Sequence, residues 1–117
     1  MTVQTLADSK FFDVLYLSED VAEKEITGVY CCDLLSIAMT KVPAGAAWVT
    51  VMSNLNTLAV ASLTEAACVI LAEGAAVEET LIERAKQQGI CLFRTEKPVF
   101  EAALRVYALC KETVYSA

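Results

Sequence analysis

Hydrophobic and polar positions alternate in blocks along this chain, and the stretch from Ser53 to Gly74, SNLNTLAVASLTEAACVILAEG, sets the scheme. A helix start at Asn54 leads into a nearly all-apolar helical run. A tight turn follows around Thr64, Glu65 and Ala66, then an unbroken apolar run from Ala67 to Ala72. A helix that is apolar all round has to be covered on more than one side. A short β-rich run without polar alternation fits a central strand of a parallel sheet, covered on both faces.

The rest of the chain forms layers around that pair. Val3 to Lys10 predicts a short helix capped by Thr2, with Val3, Leu6 and Ala7 on one face. Phe11 to Leu17 is rich in β-formers and reads as an edge strand. Ser18 to Glu25 is acidic and polar, and a plain solvated loop is preferred there over a helical turn. Ile26 to Cys31 reads as a strand. Asp33 is expected to cap a helix reaching Lys41, with Leu34, Leu35, Ala38 and Met39 facing inward. Pro43-Ala44-Gly45 breaks that helix, and Ala47 to Met52 is the next strand. Ser53 or Asn54 caps the apolar helix.

Val77 to Gln88 carries the clearest helical pattern. Glu78 and Glu79 sit in its first turn, where the macrodipole favours anions. Leu81, Ile82 and Ala85 form its buried stripe, Lys86 lies in its last turn, and Gly89 follows as the stop. Ile90 to Phe93 is a strand. Thr95 or Lys97 caps a last helix opened by Pro98, whose apolar side is Val99, Ala103, Val106, Tyr107 and Cys110. The tail from Glu112 to Ala117 is expected to fray. Strands beginning near Ile26, Ala47, Ala67 and Ile90, each followed by a helix, predict crossover connections. The expected fold is α/β: three layers, a mainly parallel sheet of four to five strands, and helices on both faces. At 117 residues, the whole chain reads as one such domain.

Composition sharpens this picture. Hydrophobic residues make up 56% and the mean hydropathy is +0.50, more apolar surface than a small monomer hides easily. A homodimer is therefore expected, formed through the apolar helix by burying the side its own sheet leaves wet. No apolar run reaches the roughly 18–20 residues of a membrane span, and MTVQTLADSK lacks a basic-then-apolar leader pattern. The expectation is a cytoplasmic protein without a membrane partner. The net charge of −6 and scattered basic residues argue against nucleic acid. The chain has no His, which removes the commonest general base, the serine and cysteine triads and most zinc sites. Cys68, Cys91 and Cys110 read as buried small hydrophobes, and for Cys31 and Cys32, at a strand end, the same reading is preferred over a reactive thiol. No metal, cofactor or catalytic residue is expected.

In open α/β sheets, ligands bind outside the carboxyl ends of the strands. The polar residues predicted there are Asp33, Asn54, Asn56, Glu73, Gly74 and Thr95, the candidate ligand-binding set. For each, capping or a solvated turn is the competing role. Arg94 is the one arginine near a strand end. The chain carries no G-x-G-x-x-G, Walker A loop or nucleophile elbow.

At these residues a family resemblance emerges. Gly28 through Ser36, the Ala47-Trp48-Val49-Thr50 strand, Asn54 through Leu63, Ile70 through Gly74, and Gly89-Ile90 resemble the DRTGG domain family, which is similar to the N-terminal domain of HPr kinase/phosphorylase. The resemblance runs from about Ile26 onward. It implies an α/β domain with no established catalytic activity and a regulatory or ligand-sensing role. Family members are fused to CBS domains in inorganic pyrophosphatases and to phosphotransacetylases, and stand-alone versions accompany iron-only hydrogenase and related redox genes. The implied partner is thus a hydrogenase or related redox system. The family's Asp-Arg pair has no counterpart at Ser53 to Asn56, and its Thr-Gly-Gly turn is Ala72-Glu73-Gly74 here. The kinase P-loop belongs to another domain and is absent, so kinase activity does not carry over. The expected function is a non-catalytic regulatory or interaction domain. The alternative is a sensor of a nucleotide or anionic metabolite at the strand ends; a redox enzyme built on Cys31 and Cys32 ranks behind both.

Overall fold

The run from Ala67 to Ala72 supplies the middle of the sheet. In the computed structural model, which describes residues 1–115 and the side chains of residues 1–111, it becomes β4 (Cys68–Leu71), buried at all four positions. β4 pairs in parallel with β3 (Ala46–Thr50) and with β5 (Cys91–Arg94). β2 (Gly28–Cys31) extends the parallel set beyond β3. β1 (Asp13–Tyr16) closes the opposite edge, antiparallel to β5. The strand order is β1-β5-β4-β3-β2. The polar alternation missing from β3 and β4 is explained by cover on both faces.

The parallel strands follow one another in space in chain order. Right-handed crossovers then place all three connecting helices on one face. These are α3 (Leu35–Lys41), α4 (Leu55–Thr64) and α5 (Glu79–Gln88), which enclose a core of Trp48, Leu58, Val69, Leu71, Leu81 and Leu92. The other face is covered by α1 (Val3–Asp8) and α6 (Val99–Tyr115), over Val3, Leu6, Val49, Cys68, Ile70, Phe93 and Val106. Cys68 and Ile70 point to one core, Val69 and Leu71 to the other, the two-residue period of a strand. The three-layer α/β architecture is therefore the one expected.

Local expectations fare unevenly. Thr2 caps α1 by accepting from the Thr5 backbone N–H. Asn54, not Ser53, caps α4, its Oδ1 accepting from Asn56 (2.9 Å) and Thr57 (3.3 Å). Gly89 ends α5 at φ 69°. Ser18 to Glu25 is not a plain loop, because Glu19–Ala22 form a helical turn, α2, with Ala22 buried. Asp33 does not cap α3; Leu34 occupies that position without a side-chain bond. Of the four residues expected to face inward from α3, Ala38 is buried and Leu35 half-buried, while Leu34 and Met39 are exposed. Tyr107 likewise stands on the outside of α6, and the unpredicted Ala102 is in the core. α6 is Val99–Tyr115; the tail expected to fray, from Glu112 on, lies beyond the residues whose side chains are described, and residues 116 and 117 lie outside those described altogether.

α4 is incompletely covered. Thr57, Leu58, Val60 and Ala61 are buried, with α3 and α5 packed beside it. Leu55, Ala59, Ser62 and Leu63 are exposed.

Candidate functional site

The carboxyl ends of the four parallel strands carry the predicted residues, and of these Asp33, Glu73, Gly74 and Thr95 hold the rim together. After β2, the Asp33 carboxylate accepts from the Thr50 hydroxyl (2.8 Å) and the Val51 backbone N–H (2.9 Å). That ties the exit of β2 to the exit of β3. Trp48 Nε1 reinforces the tie by donating to the Cys32 carbonyl at 3.0 Å. After β3, the Ser53 hydroxyl donates to the Ala76 carbonyl, linking to the loop that follows β4. Asn54 and Asn56 are exposed, and both take part in the α4 cap.

Glu73 and Gly74 form that loop with positive φ values of 61° and 66°. Their backbone N–H groups donate to Lys97 (2.9 Å) and Thr95 (3.0 Å) carbonyls, after β5. The Glu73 carboxylate accepts from the Val99 N–H at 2.8 Å. It thereby satisfies a free donor at the N-terminus of α6 and places a negative charge at the positive end of the helix dipole. Thr95 is buried, and its hydroxyl accepts from Lys97 N–H at 3.1 Å.

Arg94 was not in the predicted set, yet it fixes the middle of the rim. Its Nε donates to the Ala75 carbonyl (3.1 Å) and its Nη2 to the Gly74 carbonyl (3.2 Å). Asp13 and Glu96 lie 3.8 and 3.9 Å from it. The signal available in the sequence was its place as the one arginine at a strand end. The rim is thus a continuous belt of hydrogen bonds from Asp33 to Val99. The strand order has no reversal among its parallel members, so the crevice that forms at such a reversal has no counterpart here.

An open hollow of about 200 Å³ remains between the starts of α4 and α5, lined by Ser53, Asn54, Leu55, Glu78, Thr80 and Leu81. Of the predicted residues, Asn54 alone lines it. A hollow of about 310 Å³ lies elsewhere, beside α6, between Phe11, Glu101, Leu104, Arg105 and Ala108.

Four of the five thiols are poor nucleophiles. Cys31 is exposed, but partial burial of its sulfur and then the Asp33 charge push its pKa up. Burial raises those of Cys68, Cys91 and Cys110; Ser18 N–H, 3.3 Å from Cys91 Sγ, partly opposes this at Cys91. A reactive cysteine needs the opposite shift. Among the described residues no three Cys, Asp or Glu side chains converge as metal donors, and no helix is long and apolar enough to cross a membrane.

No protein-family model matches the sequence, and no curated protein matches it. Among solved structures, the chain is similar to the CBS and DRTGG domains of the regulatory region of a Clostridium perfringens pyrophosphatase, crystallised with its activator diadenosine tetraphosphate. The TM-score is 0.67 and the identity 15%, over 91% of this chain and 45% of that one. The chain spans less than half the length of that structure. At this identity the likeness is one of fold.

Proposed function

We propose that the chain is a DRTGG-like regulatory or protein-interaction domain, without catalysis of its own, that works as a homodimer alongside a redox or metabolic enzyme. The observation that carries this reading is the rim. Its polar groups are engaged in holding strand ends and helix starts together, while large apolar side chains stand exposed on the helices. Such a molecule acts through its surfaces. The test is kinetic: the enzyme encoded beside it is assayed with and without an equimolar amount of the domain. A reproducible change in KM or kcat supports the reading, and unchanged kinetics for every neighbouring enzyme overturns it.

A second reading, a nucleotide sensor, draws on the activator held by the pyrophosphatase regulatory region and on the hollow beside Asn54. Glu78 in the lining of that hollow opposes a polyphosphate. Thermal-shift screening with diadenosine tetraphosphate and with adenine and uridine nucleotides separates the two. A flat screen is expected for the interaction domain, whereas a saturable rise in melting temperature establishes the sensor.

A further inference from the structure

We infer that a second copy of this chain docks on the outer face of α4, with Ala59 where the two symmetry-related helices cross. This rests on the interaction-domain reading and names the surface that reading requires.

The first observation is the shape of the face. Leu55, Ala59 and Leu63 are spaced i, i+4, i+8, so they form one ridge along the helix. Leu55 is 40% and Leu63 66% exposed. Ridges of this spacing interdigitate when two helices cross at about −50°. A small residue between two large ones lets the axes come close at the crossing while each leucine reaches past the partner's helix.

The second observation is charge. Of 15 acidic and nine basic residues, the stretch from Ile26 to Thr64 holds one of each, Asp33 and Lys41. That stretch is β2, α3, β3 and α4, one side of the sheet. Asp33 is already bonded to Thr50 and Val51. The net charge of −6 therefore lies outside that stretch, −4 on residues 1–25 and −2 on residues 65–117. A two-fold contact sets identical surfaces against each other, so a charged face meets its own sign and is repelled. The ridge itself carries no charge and avoids that; the acids nearest its ends are Glu65, which ends α4, and Glu78, beside Leu55. An uncharged ridge gives a charged partner nothing to pair with, which favours a copy of the same chain.

The third observation is the distribution of apolar surface. Of nine large apolar side chains exposed among the described residues, five lie in this neutral stretch: Leu34, Ile37, Met39, Leu55 and Leu63. The outer ridge of α6, with Phe100, Leu104 and Tyr107, is also apolar, but Glu101 and Arg105 lie on the same helix between those positions. It serves as the control.

The experiment is light scattering on a sizing column at tens of micromolar, with circular dichroism on each variant. Wild-type protein is expected to run as a dimer that dissociates on dilution, because the outer faces of two short helices form an interface at the small end of the range. Ala59→Glu and Leu63→Glu should each give a folded monomer, and Leu104→Glu should leave the dimer intact. If Ala59→Glu does not fold, Leu63→Glu, at the more exposed position, carries the test. A monomeric wild type, a dimer that survives both α4 substitutions, or a dimer lost only with Leu104→Glu overturns the inference. A monomer that still alters its enzyme's kinetics would sink the α4 contact and leave the regulatory reading standing. A dimer without kinetic effect would do the reverse.

Discussion

Glu73 combines a strained backbone with a useful carboxylate. Its φ of 61° is in the left-handed region, which costs a residue with a Cβ about 1 kcal/mol or more. In return its side chain reaches the Val99 N–H at the start of α6. Two substitutions separate these terms. Glu73→Ala keeps the strain and loses the cap, so urea denaturation should show a loss of about 1 kcal/mol. Glu73→Gly loses the cap but relieves the strain, and should come out close to wild type. If Glu73→Ala is as stable as the parent, the bond to Val99 contributes nothing. The same residue shows what a sequence exposes and what it hides. Thr2 and Asn54 were legible as caps because their partners lie two or three positions away. Glu73 was placed correctly at a strand end, but its partner is 26 residues on. Asp33 was read as a local cap when its acceptor oxygen serves Thr50 and Val51 on the next strand. Bonds between strand exits depend on the sheet's registration, which local pattern does not carry.

At the scale of elements, α4 and α5 end alike in backbone and differently in residue. Both stop at a left-handed residue, Glu65 at φ 59° and Gly89 at φ 69°. Gly89 is the residue suited to that conformation, and it marked the end of α5 in the sequence. Glu65 gave no such mark beyond a general turn. Glu65→Gly should therefore raise stability by about 0.5–1 kcal/mol, and Gly89→Ala should lower it by about 1 kcal/mol. A Cβ at Gly89 meets only Ser18 Oγ, 4.0 Å away, so the loss would come from the backbone and not from a clash. Melting curves of the two variants, shifted in opposite directions, check this; equal shifts would show that the caps do not limit these helices. Helix faces were less legible than helix ends. α3 and α6 carry apolar residues on more than one side, so periodicity could not tell the side that meets the sheet from the side that meets solvent. Leu34, Met39 and Tyr107 were assigned inward for that reason and are exposed. The existence of the strands along the chain was legible because each is a short apolar run between breakers, whichever face its neighbours take.

For the whole molecule, the decisive feature is one sheet shared by two cores of different chemistry. The core under α1 and α6 contains Cys68 and Cys91, in register on neighbouring strands, with Cys110 packed against it. The core under α3 to α5 contains Trp48, the chain's one tryptophan. Burial, followed by interaction with Cys91 and Cys110, pushes the Cys68 thiol far above its ordinary pKa of 9.0, and the thiols of Cys31, Cys91 and Cys110 are also raised. A group whose pKa is higher in the folded state keeps its proton after the unfolded chain has lost it. The native state then binds more protons, and stability falls as pH climbs past about 9 toward the folded value. Melting temperature should be flat in this respect below pH 9 and should decline above it. Cys68→Ala should start about 1 kcal/mol less stable from lost packing but decline less steeply between about pH 9 and 11. Because both cores hang on the same strands, the alkaline loss should be seen equally by circular dichroism and by Trp48 fluorescence, although the titrating thiol and the indole lie on opposite faces. Parallel slopes for the two proteins would remove Cys68 as the source. A Trp48 transition that separated from the backbone transition would mean that the two layers melt independently and that the sheet does not couple them.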